Sequence, residues 1–73
     1  MASRDLSDTE ATVLRAVQAQ NIVDLYDLSQ EMGTGPRTVQ DTVRRLATHD
    51  LVHVSGRRVR CTRAGDQWVR EHS

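Results

Sequence analysis

The chain has 73 residues, 37% of them hydrophobic and 27% charged, with ten basic residues against ten acidic ones. That length holds one domain, residues 1–73, and excludes both a Rossmann unit carrying a substrate domain and a TIM barrel. There is one Trp, one Tyr and no Phe, so the core has to come from Val, Leu, Ile, Met and Ala. Cys61 is the single cysteine, which excludes an internal disulfide and a thiolate zinc cage. His49, His53 and His72 show no metal-ligand spacing, so no metal or other cofactor is expected. No apolar run approaches the ~20 residues of a membrane span, and the N-terminus lacks the apolar core of a signal peptide. The expected location is cytoplasmic, with no membrane partner.

Charge is divided unevenly along the chain. Asp5, Asp8, Glu10, Asp24, Asp27 and Glu31 fall before residue 34 with only Arg4 and Arg15. Between residues 37 and 63 stand Arg37, Arg44, Arg45, Arg57, Arg58, Arg60 and Arg63, against Asp41 and Asp50. Such halving suggests one face made for a polyanion. Every basic residue is Arg. GC-rich codon usage explains this, and so does bidentate recognition of phosphate and guanine; the two are compatible.

Taken in chain order, Ser7-Asp8-Thr9-Glu10 is a capping box, with Leu6 and Ala11 at the staple positions. The helix it opens runs to about Ala19 with Val13, Leu14 and Val17 on one stripe, and Gln20-Asn21 ends it. Ile22-Val23 is a short extended pair. Asp24 is an N-cap for a second helix, with Leu25, Leu28 and Met32 at helical spacing and Gly33 as its terminator. Thr34-Gly35 turns the chain, and Pro36 sits at the first position of a third helix. That helix reaches about His49 with Val39, Val43 and Leu46 inward.

Leu51-Val52-His53-Val54 alternates as a strand does, Ser55-Gly56-Arg57 supplies a turn, and Arg58-Val59-Arg60-Cys61 alternates again with Val59 and Cys61 inward. Val43 and Leu46 are expected to pack against Leu14, Leu28 and Val54. Thr62 caps a last helix, Arg63 to about His72, with Ala64, Trp68 and Val69 apolar. Ordered structure is expected over about residues 6–72. The fold class is mainly α with a small β-hairpin: helix, short strand, helix, turn, helix, hairpin, helix. Two helices joined by a short Gly-containing turn read as a helix-turn-helix, and the hairpin after them makes it winged.

The stretch from Val23 to Val54, with Met32-Gly33-Thr34-Gly35-Pro36 at its centre, resembles the winged helix-turn-helix transcriptional regulators of bacteria and archaea. Members of the MarR and ArsR groups share its spacing. Thr62-Arg63-Ala64-Gly65 resembles the Thr-x-x-Gly step after the wing in many of them. The resemblance covers about residues 6–72. It implies sequence-specific binding of double-stranded DNA and transcription regulation in a microbe or one of its viruses or plasmids.

With about 100° per residue and Val39 at 0°, Arg37, Asp41, Arg44 and Thr48 fall at roughly 140–200°, opposite Val43 and Leu46. Thr38, Gln40 and Arg45 flank them. Arg reads guanine, Gln reads adenine and Thr reads either. Arg37, Thr38, Gln40 and Asp41 are therefore the candidates for base edges, and Arg44 and Arg45 for bases or flanking phosphates; Thr48 is a further DNA-binding candidate on the same face. Taken alone, the same residues are also what the solvated face of any surface helix carries. Asp41 lies at pairing distance from Arg37, Arg44 and Arg45; it orients an arginine, accepts from a cytosine amine, or forms a plain surface ion pair. Arg57 and Arg58 at the wing suit phosphate or the minor groove, or keep a short edge strand apart from other strands. Arg60 and Arg63 extend the basic strip.

Cys61 reads as a small core residue rather than a redox sensor, and Tyr26 as cover for the core edge or a phosphate contact. Trp68 is a core anchor or a dimer contact. The resemblance implies a homodimer built on flanking helices; the chain ends at Ser73, which leaves a small dimer surface, a monomer or a fragment open. No small-molecule effector site is visible. The alternative is a winged helix that docks protein, which needs an apolar patch in place of the basic face. No nucleophile-base order and no phosphate loop points to an enzyme.

Overall fold

Residues 6–72 are described by the computed structural model, which places α1 at Asp8–Gln20, β1 at Ile22–Asp24, α2 at Leu25–Met32 and α3 at Pro36–Thr48. There follow β2 at Val52–Ser55, β3 at Arg58–Cys61 and α4 at Arg63–Glu71. This is the expected order. The start of α1 shows why: Glu10 N–H donates to Ser7 Oγ at 3.1 Å and Ser7 N–H donates to Glu10 Oε1 at 2.9 Å, the reciprocal capping box. Gly33 closes α2 in the left-handed conformation, and Pro36 opens α3 where no amide donor is needed.

The strands form one antiparallel sheet in the order β1-β3-β2. Ile22-Val23 is thus more than an extended pair: Val23 pairs with Val59, and Val59 pairs with Val54 on its other side. Paired residues share a face, so Val23, Val59, Val52 and Cys61 turn toward the helices. The hairpin turn is Gly56-Arg57, with Gly56 at φ 63°. Positive φ at the first residue of a two-residue hairpin loop is where glycine is favoured.

The core gathers Leu14, Leu28, Leu46, Leu51, Val13, Val17, Val39, Val43 and Val59, all essentially removed from solvent. Trp68 and Val69 close it from α4, with Leu6, Ala11 and Cys61 packed at its margin. Trp68 thereby follows the core-anchor reading, and its ring stacks on His72 at 4.1 Å. Two expectations fail. Val54 shares the inward face but is 36% exposed, because it lies one step closer to the hairpin turn than α3 covers. Tyr26 is 57% exposed and does not cover the core edge; one residue off the Leu25/Leu28 stripe is enough to turn it out.

α4 approaches the sheet so closely that a methyl on Gly65 would collide with the Leu51 carbonyl and with Cys61 Sγ. Thr62 holds that approach. Its hydroxyl donates to Asp50 O at 2.6 Å and accepts from Gly65 N–H at 3.1 Å, while its amide donates to Leu51 O at 3.1 Å. The Thr-x-x-Gly step is therefore a helix cap and a backbone contact in one.

Asp24 joins three elements. Its Oδ1 accepts from Tyr26 N–H at 2.8 Å and caps α2, while Oδ2 pairs with the Arg57 guanidinium at 3.5 Å. Leu25 N–H also donates to Arg57 O at 2.7 Å. The wing turn is thus tied to the start of α2 by a backbone and a side-chain contact.

Three substitutions test this packing. Leu46→Ala is expected to cost about 2–5 kcal/mol, enough to unfold much of a domain this small. Gly65→Ala is expected to lower the melting temperature, although alanine is the better helix former, because the Leu51 carbonyl occupies the space. Asp24→Ala loses the cap and is expected to cost about 0.5–2 kcal/mol in urea unfolding. Asp24→Asn keeps the cap and should cost less than about 1 kcal/mol, the scale of an exposed ion pair. Equal losses in the two Asp24 variants would show that the ion pair, not the cap, dominates.

Candidate nucleic-acid interface

α3 buries Val39, Thr42, Val43 and Leu46 and leaves Arg37, Thr38, Gln40, Asp41, Arg44, Arg45 and Thr48 exposed, so the phase read from the sequence holds. Thr42 is buried without strain on its hydroxyl, which donates to Thr38 O at 2.9 Å. Thr48 bonds back to Arg44 O at 3.0 Å, so its hydroxyl keeps only acceptor capacity. Gly35 offers no side-chain cap to α3, and no acid stands in the first turn. The positive end of the helix dipole is therefore unopposed beside Arg37.

The arginines of this face form no ion pair with another described residue. Among the described residues the ion pairs are Arg57–Asp24 and Arg70–Asp66. Asp41 forms no ion pair with Arg37, Arg44 or Arg45, in keeping with how little exposed side chains at helical spacing gain from such a contact. Arg37, Arg44, Arg45, Arg58, Arg60 and Arg63 form no ion pair with a carboxylate of the described residues. Arg57 pairs with Asp24, and its side chain remains 79% exposed.

The basic residues divide between two faces. Gln40 and Arg44 line a groove between α3 and the wing, together with Leu25, Val43, Ala47, Val54 and Gly56. Arg58 and Arg60 alternate with the buried Val59 and lie on the outer face of the sheet, where Arg60 is paired with Ile22 and His53. Arg60 and Arg63 border a shallow cleft with Ile22, His53 and Cys61 on that face. Arg60 therefore does not continue the α3 strip directly. Burial, and secondarily the charge of Asp66, push the Cys61 thiol above its ordinary pKa, which suits a margin-of-core residue.

Sequence reasoning missed Leu25, Ala47 and Val54 as a surface, since each carries a core-type side chain at a core-type spacing. The available signal was the position of Val54 next to the turn. Among the described residues the large apolar side chains left exposed are Ile22, Tyr26 and Val54, none of them on α3. No described helix is long and apolar enough to cross a membrane, and no cluster of three metal-ligating side chains occurs among the described residues.

No family model matches the chain. No curated protein matches it in sequence. Solved structures match its fold closely. BpsR of Bordetella bronchiseptica, whose DNA binding is regulated by 6-hydroxynicotinic acid, superposes with a TM-score of 0.86 at 27% identity over 97% of this chain. MepR, a transcription regulator of the Staphylococcus aureus multidrug efflux pump MepA, does so with 0.85 at 19% identity over 92%. A MarR family protein from Bacillus stearothermophilus gives 0.85 at 19% identity over 93%. These matches cover 55%, 54% and 51% of the respective proteins, so the chain spans about half the length of each. The fold is the winged helix of MarR-type transcription regulators.

Proposed function

We propose that this domain binds double-stranded DNA in a sequence-specific manner, as the DNA-reading part of a transcription regulator, and has no enzymatic role. The observation that carries the proposal is the exposed face of α3, where Arg37, Arg44 and Arg45 stand beside Thr38 and Gln40 without a carboxylate partner among the described residues. Guanidinium groups clustered on one helix face create a positive potential that attracts a polyanion, and a B-DNA major groove admits a helix with these donors at its edges. α3 is the recognition helix, with Arg37, Thr38, Gln40 and Asp41 nearest the bases, as the N-terminal part of such helices is. Arg45 and Thr48 face the flanking backbone. Arg57 and Arg58 form the wing contact, with Arg58 the free cation and Arg57 the tethered one. The fold shared with transcription regulators supports the same reading.

The protein-docking alternative lacks the surface it needs, because α3 exposes no large apolar side chain. Dimer formation is proposed at low surface cost: DNA readers of this kind place two half-sites about 34–36 Å apart, which a second copy would match.

Selection of bound duplexes from a random pool tests the proposal. A defined sequence should emerge, and Arg37→Ala should weaken the selected duplex by about 1–3 kcal/mol while random duplexes change far less. Arg58→Ala should weaken selected and random duplexes alike and flatten the slope of log affinity against log salt by about 0.9. Recovery of no sequence preference, with normal circular dichroism, contradicts the reading.

A further inference from the structure

We propose that the outer face of the sheet holds an anion site between β1, β3 and the start of α4, and that its ligand is a small phosphate monoester with an apolar body. Arg60 and Arg63 hold the phosphate group, His53 and Asn21 donate to it, and Ile22 packs against the body. The site lies apart from α3, and neither it nor its test depends on DNA binding.

Register builds the site. Ile22 pairs with Arg60, and Arg60 pairs with His53 on its other side, so the three form one row across the sheet. Paired side chains share a face at about 5 Å spacing, which sets Arg60 between an apolar side chain and an imidazole. Arg63, the first residue of α4, brings a second guanidinium to the same place. With Asn21 and Thr62 these residues enclose a cleft of about 450 Å³, the size of a small-molecule pocket. No Asp or Glu is among the described residues that line it. Arg60 and Arg63 form no ion pair with another described residue. Asp66, in the first turn of α4, is committed elsewhere, to Arg70 at 3.1 Å and to the Gln18 side-chain amide at 2.9 Å.

Two observations select the ligand. Charge is the first. A carboxylate has one charge and is satisfied by a single guanidinium fork. Two guanidiniums beside an imidazole exceed that need and match a phosphate monoester, which carries about −1.5 to −2 charge and three acceptor oxygens at neutral pH. A nucleic-acid phosphodiester brings only one charge per linkage. Ile22 is the second. It is 50% exposed in the same row as Arg60, so the surface beside the phosphate is apolar, which inorganic phosphate cannot use. Asn21 fits the same use. It ends α1 at φ 74°, ψ −63°, a strained conformation in which glycine is the easier residue, and Asn there places an amide donor at the cleft mouth.

The test uses the whole chain without DNA. Amide shifts and titration calorimetry follow phenyl phosphate, with inorganic phosphate and benzoate as comparisons. Phenyl phosphate should bind saturably with a Kd below about 1 mM and move Asn21, Ile22, His53, Arg60 and Arg63 while α3 stays still. Inorganic phosphate and benzoate should each bind at least about tenfold more weakly. Arg60→Ala and Arg63→Ala should each weaken phenyl phosphate by about tenfold or more and keep the parent's melting temperature. Ile22→Ser should weaken phenyl phosphate severalfold and leave inorganic phosphate unchanged. Asn21→Gly should raise the melting temperature and still weaken phenyl phosphate, which separates binding from a structural role. Absence of saturable binding of phenyl phosphate up to about 10 mM overturns the proposal, as does equal binding by the parent and both arginine variants. Benzoate binding as tightly as phenyl phosphate overturns it through the ligand class. A random-sequence duplex that displaces phenyl phosphate and moves the same residues makes the cleft a nucleic-acid contact and overturns it too.

Discussion

The position of the wing depends on β3 being the middle strand. A two-stranded hairpin is marginal on its own in water. Here Val59 is paired on both sides, with Val23 and with Val54, and is fully buried against the helices. The strand that follows α1 thus supports the hairpin that follows α3. Asp24, the last residue of β1, then caps α2 with one carboxylate oxygen and holds Arg57 with the other. Because β1 leads directly into α2, the same few residues set α2, the sheet and the wing turn relative to one another. The wing is a fixed wall, and that makes the cleft beside α3 a defined surface.

Charge is arranged at the expense of stability. Arg37, Arg44 and Arg45 share one helix, and Asp41 among them closes no ion pair. A sequence selected only for stability would place acids in the first turn of α3. Asp8 and Glu10 stand in the first turn of α1, whereas the first turn of α3 holds no acid. The contrast between two helices of equal length in one chain suits the polyanion-binding role proposed for α3. The outer face of the sheet carries a second basic group, with Arg58 at the wing end of β3 and Arg60 further along the strand.

Much of this was legible in the sequence. Short-range signals carried the helix starts and stops: Ser7 with Glu10, Asp24, Gly33, Pro36 and Thr62 each satisfy or end a backbone pattern within a few residues. The 3.6-residue period fixed which side of α3 is buried. Long-range contacts were not legible. Nothing local in Ile22-Val23 says that it pairs with residues near 60, and nothing local in Asp24 says that Arg57 shares its carboxylate. The exposure of Val54 and Tyr26 escaped for a related reason. Alternation and stripes assign a side, but how far a neighbouring helix extends over that side is a property of the assembled fold. Arg60 belonged to a basic run in sequence, yet strand alternation places it with Ile22 and His53 instead.

The central claim is that one continuous surface, the exposed face of α3 and the wing beside it, takes double-stranded DNA. Backbone amide shifts of labelled protein, followed during titration with a short duplex of selected sequence, test it most directly. The account predicts the largest shifts at Arg37 to Gln40, Arg44, Val54 and Gly56, with α1 and α4 nearly unmoved. Shifts concentrated on α1 and α4, or on the outer cleft around Ile22 and Arg63 with α3 unmoved, would contradict it.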